Sequence, residues 1–275
     1  MQNLTADVIE KMNYNELIGV VGETNRPPGG RRSIVHILNN TFVNKESKVL
    51  DIGTSTGTTA LEIARLTHSN VIGVDINEMS LEQATERAKK LELQNVTFRK
   101  EDVTNLSFFD NMFDLIFCGN VLSIVNDNRK AFHECIRVTK SNGFLAVIPM
   151  YYIKTPSEIM VNKVREAIQV NIPVLFRDDV VNLYDHDHLE VFMIKDYMFD
   201  DINEKIVKNF VMNILQRSHL DNLNLEAKKM LEEKYLKSML LFRENLSHMG
   251  YSIIILRKTN YKEDPELFTS SVIIK

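Results

Sequence analysis

The chain has 275 residues, of which 44% are hydrophobic and 25% charged, enough apolar material for a full globular core. Thirty-three Lys and Arg against thirty-seven Asp and Glu leave a net charge of -4, so no basic excess points to phosphate-backbone contact and nucleic acid is not the expected partner. Cys118 and Cys135 are too few for a disulfide framework or a cysteine zinc site, no apolar run reaches the roughly 20 residues that cross a bilayer, and the N-terminal pattern is broken by charges; a cytoplasmic protein with free thiols and no membrane contact is expected.

Apolar spacing predicts a helical leader over residues 5–20, then the Pro/Gly loop "GETNRPPGGRR" and another helix from about Ser33. Runs rich in Val and Ile follow at 48–53, 70–76, 95–102, 113–119 and 143–149, separated by helical spacing at 57–67, 79–93 and 128–140. Strand alternating with helix is the pattern of a doubly wound α/β domain, a mostly parallel sheet covered on both faces. Two later strand candidates, "LEVFMIKDY" at 189–197 and "YSIIILRK" at 251–258, bring the expected sheet to seven strands, with helical spacing over 201–248 between them. The expected organisation is a leader and loop over 1–47, a ligand-binding core over 48–150, a C-terminal part over 151–258 and a tail over 259–275. The C-terminal part contains a helical cap, about 200–248, that leaves the sheet and returns to the same edge. The tail ends in the apolar "SVIIK", which would hang loose or dock on the body or on a second copy, so a homodimer stays open.

The stretch "VLDIGTSTGTTALEIA" at 49–64 turns from strand to helix through small residues alone. Gly53, Thr54, Ser55 and Gly57 permit a tight turn and close ligand approach, and Thr58 opens a helix whose first amides offer hydrogen bonds. The spacing is G-x-S-x-G, neither the dinucleotide G-x-G-x-x-G nor a phosphate loop, because no Lys follows Gly57. Asp51, just before the turn, suits a positively charged group. Asp75 ends the second strand where a carboxylate accepts from both hydroxyls of a ribose, with Ile76 beside it, and Asp102 after the third strand is placed to accept from an exocyclic amine of adenine. In this order the residues resemble the class I S-adenosylmethionine-dependent methyltransferases, whose first motif reads acidic-x-G-x-G-x-G, with Ser55 at the middle glycine. The resemblance implies a Rossmann-like fold, S-adenosylmethionine as cofactor, Asp75 at the ribose, Asp102 and Val103 at the adenine, and Cys118, Gly119 and Asn120 bordering the methionine half. It covers residues 48–149.

The fifth strand ends at "PMYY", where Tyr151 and Tyr152 would orient a nucleophile or face the sulfonium, or simply form a wall. Tyr14 on the leader is a further candidate, and His36 and His186 are candidate bases without geometry. Arg26 or Arg31, in a loop that resembles the Arg-Pro-Gly-Gly segment of small-molecule methyltransferases, would pair with the cofactor carboxylate or stay solvated. "YDHDH" at 184–188 reads as a solvated connection and not as a metal site. The expected activity is methyl transfer to O, N, S or C of a small-molecule acceptor. The alternatives are a noncatalytic S-adenosylmethionine-binding regulator and, disfavoured by the glycine spacing, a nicotinamide oxidoreductase.

Overall fold

The computed structural model describes residues 4–259 and Leu267. The leader forms two short helices, α1 (Ala6–Lys11) and α2 (Tyr14–Val21), because the chain breaks at Asn13, whose side chain caps α2 in a reciprocal pair with Glu16. Helix α3 (Arg31–Asn40) follows the Pro/Gly loop. The alternating region then gives β1 (Lys48–Ile52), α4 (Thr58–Thr67), β2 (Asn70–Asp75), α5 (Glu78–Lys90), β3 (Val96–Lys100), β4 (Phe113–Cys118), α6 (Asn128–Val138) and β5 (Thr139–Val147). Strands β1 to β5 are mutually parallel, in the order β3-β2-β1-β4-β5.

The sheet has eight strands, one more than expected, since a short β6 (Met150–Tyr152) follows β5. Both pair antiparallel with β8 (Met249–Lys258) in one continuous register, Val147 opposite Ile254 and Met150 opposite Tyr251. The break falls at Ile148 and Pro149, where proline has no N–H to give to the ladder, so β6 is the continuation of β5 past an interruption. Residues 153–188 hold α7 (Glu158–Ile168) and α8 (Arg177–Val181), elements absent from the expected organisation although Met160, Val161, Val164 and Ile168 are at helical spacing. Strand β7 (Leu189–Met198) pairs antiparallel with β8 along its length, Leu189 opposite Lys258 and Met198 opposite Gly250.

That register fixes where the last helices stand. Because β8 runs against β5, its first residues lie at the carboxyl end of the parallel strands, and β7 ends there too. The excursion between them, α9 (Glu204–Leu215) and α10 (Leu225–Leu246), therefore leaves and returns at the end of the sheet that carries the glycine turn. It packs on the leader: Leu17, Val20 and Val21 of α2 share one buried cluster with Val211, Ile214, Leu231 and Tyr235. Two further clusters fill the faces of the sheet, one with α6 and α8, the other with α3, α4 and α5. Apart from Thr259 and Leu267, the expected tail lies outside the described residues. No helix among them is long and apolar enough to cross a membrane.

Candidate functional site

The turn from β1 to α4 is held from three sides. Gly53 and Thr54 donate their N–H groups to the Val74 carbonyl of β2 at 2.9 and 3.0 Å, and Gly57 closes the loop onto the Thr54 carbonyl at 2.8 Å. Gly53 and Gly57 have φ of +68° and +82°, and a Cβ would stand 2.1 Å from Val121 Cγ2 at the first and 2.6 Å from Ala84 Cβ at the second. Both positions therefore require glycine, for conformation and for space. Ser55 also has positive φ, +48°, a conformation a side chain adopts at a cost of order 1–3 kcal/mol.

Asp75 anchors the turn from the end of β2. Its Oδ2 accepts from Ser55 N–H at 2.9 Å and its Oδ1 from Asn77 N–H at 2.9 Å. The Ile76 N–H also leans on this carboxylate, and of its roughly four acceptor sites the remainder suits a sugar hydroxyl. Burial pushes this carboxyl up, against the backbone donors that pull it down. Ile76 is 69% exposed although it is large and apolar, which leaves its face open to a flat ring beside Asp75. Asp102 spends Oδ1 on the Thr104 N–H and hydroxyl, both at 2.8 Å, which holds it below the usual carboxylate range and leaves Oδ2 for a donor; Val103 next to it is buried. These are the features that a nucleoside requires: diol acceptors, an apolar face and a further acceptor at the far end.

Asp51 turns inward. It is buried, accepts from Thr54 Oγ1 at 2.6 Å and from the Ala60 N–H, and burial pushes its carboxyl up to about 7. Beside it, the Cys118 thiol is pushed up to about 12 by burial, so it is a neutral wall and no nucleophile. Gly119 lies under Pro27 of the Pro/Gly loop, and Asn120 accepts from the Met150 N–H at 3.2 Å, tying the end of β4 to β6. Arg26 is exposed in that loop, while Arg31 Nε is 2.6 Å from Glu62 of α4.

The tyrosines have other partners. Tyr151 donates to Asp196 at 3.3 Å and Tyr152 to Asn245 at 2.9 Å, so both present ring faces. Tyr14 donates at 3.3 Å to Glu23 Oε2, which also accepts from the buried Tyr235 at 2.7 Å. His36 contacts Met193 of β7 and His186 stacks edge-on against His133. Sequence reasoning missed Glu23, Arg87, Arg217 and Tyr235. Arg87 of α5 donates to the Thr56 carbonyl at 2.9 Å and hydroxyl at 2.7 Å, and to the carbonyls of Gly22 and Glu23. Thr56 in turn donates to the Glu23 carbonyl, and Arg217, beyond α9, reaches the Val21 carbonyl at 3.4 Å. Only Glu23, polar beside a Pro/Gly loop, carried any local signal.

The methyltransferase-domain family model matches residues 43–234, well over half of the chain. The chain belongs to the methyltransferase-domain family. The methyl donor of this family is S-adenosylmethionine. Over 111 residues the domain is 34% identical to YcgJ, an uncharacterized methyltransferase of Bacillus subtilis, covering 40% of this chain and 44% of that one. The curated relatives it matches are each spanned over less than two thirds of their length. Among solved structures, the MccD protein is similar with a TM-score of 0.69 at 22% identity, covering 86% of this chain and all of that one. Geranyl diphosphate C-methyltransferase from Streptomyces coelicolor, solved with geranyl diphosphate and S-adenosyl-L-homocysteine, has a TM-score of 0.58 at 15% identity, covering 84% and 78%. These two likenesses concern the fold.

Proposed function

We infer that the protein transfers a methyl group from S-adenosylmethionine, held along Gly53–Gly57, Asp75, Ile76 and Asp102, to a small-molecule acceptor. The observation that carries the cofactor placement is Asp75 at the carboxyl end of β2, whose two oxygens accept from the glycine turn and from the start of α5 and whose remaining acceptor capacity suits a ribose hydroxyl. When bound, the cofactor supplies an electrophilic methyl on a sulfonium; the nucleophile's bond to that carbon forms as the carbon–sulfur bond breaks, and S-adenosylhomocysteine leaves. The chain's own part is alignment and exclusion of water. Support for a small acceptor comes from a cavity of about 230 Å³ at the carboxyl ends of β4 and β5, bounded by Asn120 and by the rings of Tyr151 and Tyr152. That a structural neighbour is a geranyl diphosphate methyltransferase agrees with this reading.

The test is calorimetry with S-adenosylmethionine. Asp75→Ala should weaken binding by roughly 1.5–3 kcal/mol, the scale of hydrogen bonds to a charged group, with thermal unfolding run alongside to show that the variant is folded. A folded variant that binds as tightly as the parent chain would remove the ribose from Asp75. Release of S-adenosylhomocysteine with a small-molecule acceptor is the expected catalytic readout, and tight cofactor binding with no turnover across a broad panel would favour a regulator.

A further inference from the structure

The cavity beside Asn120 has a lining that restricts its occupant. Its floor and sides are apolar, with Leu122, Val125, Phe132 and Leu175 among them, and Arg129 is the one charged side chain that lines it among the described residues. No carboxylate among them does. The nearest acid in sequence, Asp127, is turned to the end of α6, where its Oδ1 accepts from the Lys130 N–H at 3.0 Å. The phenols of Tyr151 and Tyr152 are engaged with Asp196 and Asn245, so they contribute rings.

The remaining polar groups are unspent. Asn120 uses its Oδ1 on Met150 and retains its two amide donors, and among the described residues no hydrogen bond engages the side chains of Ser123, Asn126 or Asn171, or the Arg129 guanidinium. Tyr184 is only 6% exposed, borders the same cavity, and makes no hydrogen bond to a described residue through its hydroxyl. Its hydroxyl is not among the buried side-chain atoms left without a partner, so it meets solvent at the cavity and can exchange water for a polar ligand atom. The amides and hydroxyls both donate and accept, so the choice of head falls to the guanidinium, which only donates: it favours an oxygen acceptor, while an ammonium group would meet like charge and no carboxylate.

We propose that this cavity selects an acceptor with an apolar body and a neutral or anionic, oxygen-bearing head directed to Arg129, and that it rejects cationic amines. The apolar walls take the body, and the head replaces water on the unspent donors. This rests on the methyltransferase reading for its catalytic meaning but not for its binding test.

The experiment is a set of calorimetric titrations of the full chain with phenylpropionate, phenylpropanol and phenylpropylamine, each with and without saturating S-adenosylhomocysteine. The three probes share one skeleton and differ in the charge of the head. The carboxylate and the alcohol are expected to bind and the amine to bind at least roughly tenfold more weakly than the carboxylate, the scale of one charge-assisted hydrogen bond. Arg129→Leu, at an exposed position near the start of α6, should weaken the carboxylate by a similar factor and leave the alcohol unchanged. An amine that binds as well as the carboxylate, an Arg129→Leu variant that binds all three probes as before, or no binding of any probe would each overturn the proposal. Failure of S-adenosylhomocysteine to bind, with the probes behaving as expected, would count against the cofactor assignment and leave the acceptor chemistry standing.

Discussion

Asp51 and Asp75 share an end of the sheet, and burial pushes both carboxyls up. For Asp51 the folded value is about 7 against an ordinary 3.8. Between those two values the folded chain keeps a proton that the unfolded chain has lost, so this group's contribution to stability is present at low pH and is lost as pH rises from about 4 to about 7. Asp51→Asn removes the ionisation while retaining an acceptor for Thr54, and its thermal midpoint should fall less over that window than the parent's. Equal slopes would mean that Asp51 ionises as easily inside the protein as outside. The sequence suggests Asp51 as the partner of a positive charge; the structure, with β1 between β2 and β4, turns its side chain to Thr54 and to the Ala60 N–H. Ser55 was readable as a departure from the glycine pattern, and its positive φ gives the physical reason why glycine is the usual choice there.

Helix α2 shows what an element inherits from its neighbours. Its last carbonyls, and those of the two residues that follow it, have no partner within the helix and are collected by side-chain donors from two directions. Arg87 of α5 takes Gly22 and Glu23, Arg217 takes Val21, and His219 lies 2.9 Å from the Val20 carbonyl. Since Arg87 also holds Thr56, one guanidinium ties the cofactor turn to the leader. Burial and the nearby Arg217 and Arg26 push Arg87 down to about 10, which leaves it charged at neutral pH. Arg87→Met should cost roughly 1.5–3 kcal/mol, as expected for removing a charged donor from buried carbonyls, read from denaturant unfolding. S-adenosylmethionine affinity should fall with it, while Arg87→Lys should recover part of both. Unaltered affinity in Arg87→Met would show that the turn keeps its shape without the leader.

Across the whole molecule, the leader and the excursion after β7 form one apolar layer at the carboxyl end of the sheet. We propose that this layer is the cap that closes over cofactor and acceptor. Hydrogen exchange measures this directly: with S-adenosylhomocysteine bound, α2, the Pro/Gly loop, α9 and α10 should gain protection together with Gly53–Gly57. Protection confined to the turn would leave the layer as a static support. The doubly wound core, the glycine turn and the order Asp51, Asp75, Asp102 were legible in the chain because they rest on local rules: apolar period, turn conformation, and residues within a few positions of a strand end. The joining of β5 and β6 into one interrupted strand was hidden because it depends on pairing with β8, and α8 because five residues carry little periodicity. Glu23 meeting Tyr14 and Tyr235, or Arg87 meeting Thr56 and Gly22, depends on side chains brought together from as far as 212 residues apart. No local pattern encodes such meetings, because burial on several sides is a property of packed layers and not of any one stretch of chain.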